Sequence, residues 1–187
     1  NSQIKLENNI TKITGGTQRG GNLFHSFEKF GIPTGAEAHF ENNLDINNII
    51  NRVTGGNISN IDGLIKANGA ANLFLINPAG IVFGENGRLD IGGSFVGTTA
   101  NALRFGEDNF FSASNPGESS LLSINPNALF FNQINPSASI QNNSVADLGL
   151  EDITIPIIAF DEFIEQSFTP KGLRVADGKS LLLVGSN

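Results

Sequence analysis

Hydrophobic and polar residues alternate over short stretches of this chain, and turn-forming residues separate the stretches. Ile81 and Phe83 are two residues apart, as are Leu89 and Ile91, which is the spacing of side chains on one face of a β-strand. Asn-Gly, Gly-Gly and Asn-Pro pairs between the runs favour tight turns. The pattern predicts an all-β chain of many short strands. The most legible runs lie at 58–65, 72–76, 81–83, 88–93 and 94–99.

Two all-β architectures accept this pattern, an antiparallel sandwich and a parallel β-helix of stacked coils. The turns lack the regular spacing of successive hairpins, which favours stacked coils. The tripeptide Ile-Asn-Pro recurs at 76–78, 124–126 and 134–136, and we expect its asparagines at equivalent corners of the coils. Asn-Pro is also common in ordinary turns, so the repeat alone leaves the sandwich open.

The two ends of a β-helix need separate explanations because an open end exposes strand edges. The phenylalanine-rich segment 22–40 is predicted to cap the N-terminal end, and 161–166 to form one helical turn on a loop. Segments 172–175 and 179–185 resemble a further coil with no capping sequence after it. We therefore expect the chain to be a fragment of a longer solenoid.

Composition and charge exclude several functions. The chain has 187 residues, a net charge of −7 and only 11 scattered Lys and Arg residues, which argues against nucleic-acid binding. It has no Cys, so disulfides, thiolate metal sites and a Cys nucleophile are excluded. Its apolar runs are shorter than the roughly 20 residues that span a bilayer. It begins Asn1-Ser2-Gln3, without a signal peptide, and we expect a processed, exported segment.

A known family is recognisable in the segments 51–57, 59–65 and 68–84, with further matches at 20–27 and 92–100. These segments resemble the haemagglutination-activity domain, which is the two-partner secretion (TPS) domain of filamentous-haemagglutinin-like exoproteins. Their amino-acid sequence resembles the cyanobacterial branch of the family more than the adhesins of pathogens. Besides the turn motif considered next, the matching motif residues are Asn51, Arg52, Val53, Thr54, Gly55, Gly63, Asn68, Gly69 and Asn72.

The family's Asn-Pro-Asn-Gly-Ile motif falls on Asn77, Pro78, Ala79, Gly80 and Ile81, with Ala79 in place of the second Asn. Pro78 fixes its own φ and Gly80 permits a positive φ, so the motif predicts a tight turn. One interpretation is that it only shapes a corner. The other is that it presents extended flanks to a transporter, which pairs with them by β-augmentation. A second family motif has a degraded counterpart at Asn42, Asn43 and Leu44.

The resemblance implies a right-handed parallel β-helix with an N-terminal β cap and short extra-helical strands. It implies one domain over 1–187, with the cap and first strands in 1–57 and coils with insertions in 58–187. This would be the N-terminal secretion module of a large exported adhesin. Periplasmic POTRA domains of a TpsB-type outer-membrane β-barrel transporter would recognise it, and it would nucleate folding of the downstream β-helix at the cell surface. We expect a monomer without cofactor, metal or nucleic acid.

Two rival functions remain open at this stage. A β-helix enzyme that degrades polysaccharides needs clustered carboxylates, whereas Asp45, Asp62 and Asp90 are dispersed, so no catalytic residue is predicted. His25 and His39 fall in the aromatic segment, where a structural role is expected. A carbohydrate- or surface-binding adhesin would show exposed aromatics, but Tyr and Trp are absent and the 15 Phe residues suit a core.

Overall fold

Three ladders of parallel strands, joined by sharp corners, form the body of the protein. The computed structural model describes residues 2–132, 135, 137–159 and 162–186. The chain winds through about three turns of a β-solenoid, and almost no helix is present. The register partners Ile49 and Leu73 are 24 residues apart, which is the length of one coil. The predicted all-β parallel β-helix is confirmed.

Face 1 is the longest ladder. Its parallel strands are β4 (Asn22–Phe27), β6 (Asn48–Val53), β9 (Asn72–Ile76), β12 (Phe95–Thr98) and β19 (Leu181–Val184), and β3 (Thr17–Arg19) pairs antiparallel with β4 at the N-terminal edge. Leu23, Ile49, Leu73 and Phe95 are register partners and point into the core. Because strand side chains alternate, every second residue of each strand packs inside the coil.

Faces 2 and 3 complete each coil. Face 2 contains the parallel strands β7 (Ser59–Ile61), β10 (Ile81–Phe83) and β16 (Ile140–Asn142). Face 3 contains the parallel strands β2 (Ile10–Gly15), β5 (Glu37–Phe40), β8 (Leu64–Ala67) and β11 (Arg88–Asp90), with β1 (Ser2–Glu7) antiparallel at its edge. Ile61, Ile65, Phe83 and Phe95 are completely buried between the faces. Burial of such side chains is the main stabilising contribution to the fold.

Two insertions leave the coils. The first is an antiparallel sheet of β13 (Ala102–Phe105), β14 (Asn109–Ser112) and β15 (Ala128–Phe130), with a short 3-10 turn at Pro116–Glu118. Its Phe105 and Phe111 pack on Phe24 and Ile50, whose side chains point outward from face 1 and form a second apolar cluster. The second is the hairpin of β17 (Ile153–Ala159) and β18 (Glu162–Phe168).

Two detailed predictions are wrong, and a third holds only in part. The aromatic segment 22–40 is not a separate cap, because β4 and β5 within it join the parallel ladders as the first coil; the antiparallel additions β1 and β3 flank it instead. The predicted helical turn at 161–166 is a strand from Glu162 onward, with Asp161 outside the described residues. Asn77 lies at a coil corner, but Asn125 lies in the first insertion, so these asparagines are not equivalent. Asn135 of the third repeat does form a turn like that of Asn77, since its Oδ1 accepts from the Ser137 N–H and its carbonyl oxygen accepts from the Ala138 N–H, just before β16 of face 2. Ile134 and Pro136 lie outside the described residues.

The turn at Gly63 brings two coils so close together that a side chain has no room. A Cβ atom added there would lie 2.6 Å from Cγ2 of Ile32 and 2.8 Å from the carbonyl oxygen of Pro33. We expect Gly63→Ala to lower the free energy of unfolding by about 2 kcal/mol, since overpacking costs this much in rigid interiors. Gly117→Ala is the control, because open space surrounds Gly117. Urea unfolding checks the difference; equal midpoints for the two variants would contradict it.

Candidate functional site

The Asn77 side chain locks the corner between face 1 and face 2. It is completely buried, and its Nδ2 donates to the carbonyl oxygen of Asn57 and to Oγ of Ser59, both at 2.9 Å. Its Oδ1 accepts from the backbone N–H of Ala79 at 3.0 Å, which closes an Asx turn. This amide therefore joins the third coil to the second.

The remaining motif residues shape the same corner. Gly80 has a φ of 126°, and its N–H donates to the carbonyl oxygen of Asn77 at 3.0 Å. Ile81 is completely buried and pairs with Ser59 on one side and Ile140 on the other. Only Pro78 and Ala79 are half-exposed. In the folded protein the motif thus offers a partner little more than these two small side chains.

The degraded second motif lies at another corner, after face 3. Asn42 is buried, and its Nδ2 donates to the carbonyl oxygen of Asn68, while the Asn68 N–H donates to Oδ1 of Asn42 at 3.0 Å. Leu44 is 79% exposed and lies against Gly69. Asn43 is exposed beside it. The structure therefore brings Asn42, Leu44, Asn68 and Gly69 together, away from the Asn77 corner.

The motif residues 51–55 hold the end of β6 in place. Asn51 is completely buried and donates from Nδ2 to the carbonyl oxygen of Phe74, and Val53 lies in the core. The Thr54 and Gly55 N–H groups donate to the preceding coil. These residues have structural contacts in the folded state.

Arg52 fastens the first insertion to face 1. Its guanidinium donates to Oγ of Ser26, to the carbonyl oxygen of Ser112 and to Oγ of Ser119. It lies 4.3 Å from the centre of the Phe111 ring, which is a cation–π distance. Burial lowers the pKa of this guanidinium.

A ladder of asparagines at the start of face 1 was not foreseen, apart from its member Asn72. Nδ2 of Asn48 donates to Oδ1 of Asn22 at 2.8 Å, and Nδ2 of Asn72 donates to Oδ1 of Asn48 at 3.0 Å. Asn125, from the first insertion, accepts from Nδ2 of Asn48 at 2.9 Å. The signal in the sequence is the recurrence of Asn about one coil length apart, each time as the first residue of an apolar strand.

His25 is a buried titratable group inside the first coil. Its side chain is 1% exposed, and its Nδ1 lies 2.9 Å from Oγ of Ser2. The ring stacks on Phe27, with centroids 5.8 Å apart. Burial lowers the pKa of His25 to about 4. Its Nε2 and the neighbouring Asn51 Oδ1 have no hydrogen-bond partner among the described residues.

The predicted site residues thus lie at several corners of the coil and do not line one cleft. Within residues 2–132, 135, 137–159 and 162–186, no group of three or more His, Asp or Glu side chains could hold a metal ion. The same part of the chain contains no helix long and apolar enough to cross a membrane. The arrangement serves coil-to-coil connection, and it offers no evident catalytic constellation in the described residues.

Comparison with known proteins identifies the family of this chain. The family model of the TPS secretion domain matches residues 1–187. A heme/hemopexin-binding protein of Haemophilus influenzae (strain ATCC 51907 / DSM 11121 / KW20 / Rd) is 36% identical over 86 residues, which cover 46% of this chain and 9% of that protein. The matched region is a small part of that relative's length. The chain belongs to the TPS secretion-domain family, whose members are exported by two-partner secretion with a cognate TpsB transporter.

Proposed function

We propose that residues 1–187 act as one secretion module, which the periplasmic POTRA domains of a TpsB-type transporter recognise before it folds. The observation that carries the proposal is the burial of the turn motif. Asn77 and Ile81 are completely buried in the folded domain. A partner that reads these residues must therefore meet an unfolded or partly folded chain, in which the motif is a turn with extended flanks open to β-augmentation.

Folding outside the cell then supplies a direction for transport. The coils pack mainly on their neighbours, so each coil that emerges can close on the one before it. A coil buries several large side chains, such as Leu73, Leu75, Ile81 and Phe83 in the third. At about 25 cal/mol per Å² of apolar surface, such burial opposes return through the pore. The folded module would nucleate the β-helix of the downstream polypeptide at the cell surface.

The described residues do not favour either rival function. The relative named above is a heme/hemopexin-binding protein, but only 9% of its length is matched, so binding or adhesion by the full-length exoprotein is a separate proposal. The large aromatic side chains Phe40, Phe83, Phe95, Phe105 and Phe111 are completely buried, which leaves them unavailable to a sugar. We therefore assign this module to export, without catalysis.

A binding experiment with the transporter's periplasmic region tests the proposal. The folded chain is compared with a Phe83→Ala/Phe95→Ala variant that is unfolded by circular dichroism. We expect the unfolded variant to bind at least about tenfold more tightly, a difference of about 1.4 kcal/mol. Equal or tighter binding by the folded chain would refute recognition before folding.

The same assay tests the motif itself. Adding Asn77→Ala and Pro78→Ala to the unfolded variant should abolish most of its binding. The matched control changes another Asn-Pro pair, with Asn115→Ala and Pro116→Ala, which lie in the first insertion. If both pairs of changes weaken binding equally, the turn motif has no special role.

A further inference from the structure

The third face of the coil lacks a strand at its C-terminal end. In the fourth coil, face 1 has β12 and face 2 has β16, but in the described part of the chain no strand pairs with the outer side of β11 on face 3. The Arg88 N–H donates to the carbonyl oxygen of Gly63, toward β8. Since parallel strands alternate the direction of their backbone groups, the N–H and C=O of Leu89 point to the open side.

A cavity occupies the position where that strand would lie. Its volume is about 520 Å³. Leu89 and Asp90 of β11 line it together with Ile91, the residue after this strand, and the segment 174–177 lines it from the opposite side. Asp147 also contributes. The cavity is therefore an unfilled strand position between two segments of one chain.

The segment 173–175 has the sequence that this position requires. Leu173 and Val175 are two residues apart and both pack against the main core, as inward-facing strand residues do. Leu173 precedes Leu181 of β19 by eight residues, and Ile65 of β8 precedes Leu73 of β9 by the same number. The number of residues between this segment and the next face-1 strand is therefore the same as in the second coil.

The charge of the segment 173–175 also suits a position beside β11. On the outward side of face 3, Nζ of Lys66 forms an ion pair of 2.7 Å with Asp90 on the next strand. Arg174 in the strand position would extend this row on the other side of Asp90, because opposite charges on neighbouring strands attract. In the structure Arg174 instead forms an ion pair of 2.6 Å with Asp177, whose side chain is 93% exposed.

We infer that residues 173–175 are a mobile strand that closes on β11 and supplies the face-3 strand of the fourth coil. In the closed form Leu173 lies opposite Leu89, Arg174 opposite Asp90 and Val175 opposite Ile91. The Leu89 N–H then donates to this strand. Arg174 exchanges Asp177 for Asp90, so the two aspartates favour opposite positions of the segment. Closure would give the downstream β-helix a complete rung to stack on, a consequence that rests on the proposed function, whereas the closure itself does not.

Hydrogen exchange of the Leu89 amide in the 187-residue chain tests the inference. Asp177→Asn removes the ion pair of the open form and should slow this exchange about threefold, whereas Asp90→Asn should accelerate it about threefold, as expected for an exposed ion pair. Asp108→Asn, at an exposed site in the first insertion, is the matched control and should leave the rate unchanged. The Ile65 amide serves as an internal reference.

The outcomes separate the two conformations clearly. Exchange of the Leu89 amide at the rate of an unstructured peptide in all variants would overturn the inference, as would equal effects of Asp177→Asn and Asp90→Asn. Failure of transporter binding would leave this result unaffected, because the measurement uses the isolated chain.

Discussion

Replacing Asn77 with alanine should lower the free energy of unfolding by about 3 kcal/mol, because buried polar groups that lose their partners are costly. The change removes both hydrogen bonds from Nδ2 and the one that closes the turn at Ala79. It leaves Oγ of Ser59, a completely buried residue, without the donor at Asn77. The measurement is the urea midpoint of the purified domain, followed by circular dichroism.

Pro78→Ala is the matched control at the same corner. Pro78 is half-exposed, and its loss chiefly increases the freedom of the unfolded chain, which should cost less than about 1 kcal/mol. Similar midpoints for the Asn77→Ala and Pro78→Ala variants would show that the amide does not lock the corner.

Comparing Asn77→Ala with an equally destabilising core variant separates a role in folding from a role in recognition. Leu75 is 1% exposed in the core, and Leu75→Ala should destabilise the domain by a similar amount, about 3 kcal/mol. If Asn77→Ala and Leu75→Ala are secreted equally well, the motif matters only for folding. Secretion of Asn77→Ala well below that of Leu75→Ala would favour recognition by the transporter.

The sequence predicted those parts of the fold that depend on neighbouring residues. Alternation at Ile81 and Phe83, and at Leu89 and Ile91, gave the strand positions because side-chain direction has a period of two. The turn at Asn77 was also predictable, since Pro78 fixes its own backbone φ and Gly80 permits a positive φ. The aromatic segment 22–40 was misassigned because Phe is equally suited to a cap and to a core.

Contacts between residues that are far apart in the sequence could not be predicted from local patterns. Nδ2 of Asn22 donates to the carbonyl oxygens of Leu122 and Ile124, about a hundred positions further along the chain. Arg52 likewise bonds to Ser112 and Ser119. These contacts exist only because the first insertion folds back on face 1. No local pattern in the sequence predicts that packing. The spacing of the turns favoured the parallel coil and the family resemblance implied it, whereas the docking of the insertion was not predicted.

The burial of His25 leads to the second large prediction: the protein loses stability as the pH falls from 6.5 to 4. Burial lowers the pKa of His25 from 6.5 to about 4, so the folded protein holds this ring neutral. Between these two pH values the unfolded chain binds a proton at His25 that the folded protein does not bind. The free energy of unfolding therefore falls as the pH falls through this window, and the contribution of His25 is complete only above pH 6.5.

The size of this effect follows from the shift in pKa. A change of this size corresponds to about 3 kcal/mol at pH values below both pKa values. Carboxylates act at lower pH: two lysines lower the pKa of Glu7 to about 2, and hydrogen bonds from Thr34 and Asn86 lower that of Asp62. Their stabilising contributions are lost as the pH falls below about 4.5, the ordinary range of carboxyl groups. The histidine and carboxylate effects are thus separable on the pH axis.

Replacing His25 with phenylalanine should flatten the stability profile between pH 6.5 and 4. The new ring can stack with Phe27 and Phe40, which already contact His25, so the core is kept while the proton site is lost. Urea midpoints at half-unit pH steps measure the slope in His25→Phe and in the unaltered chain. A slope unchanged in His25→Phe would place the acid sensitivity elsewhere. A flattened slope would show that the first coil excludes charge from its interior.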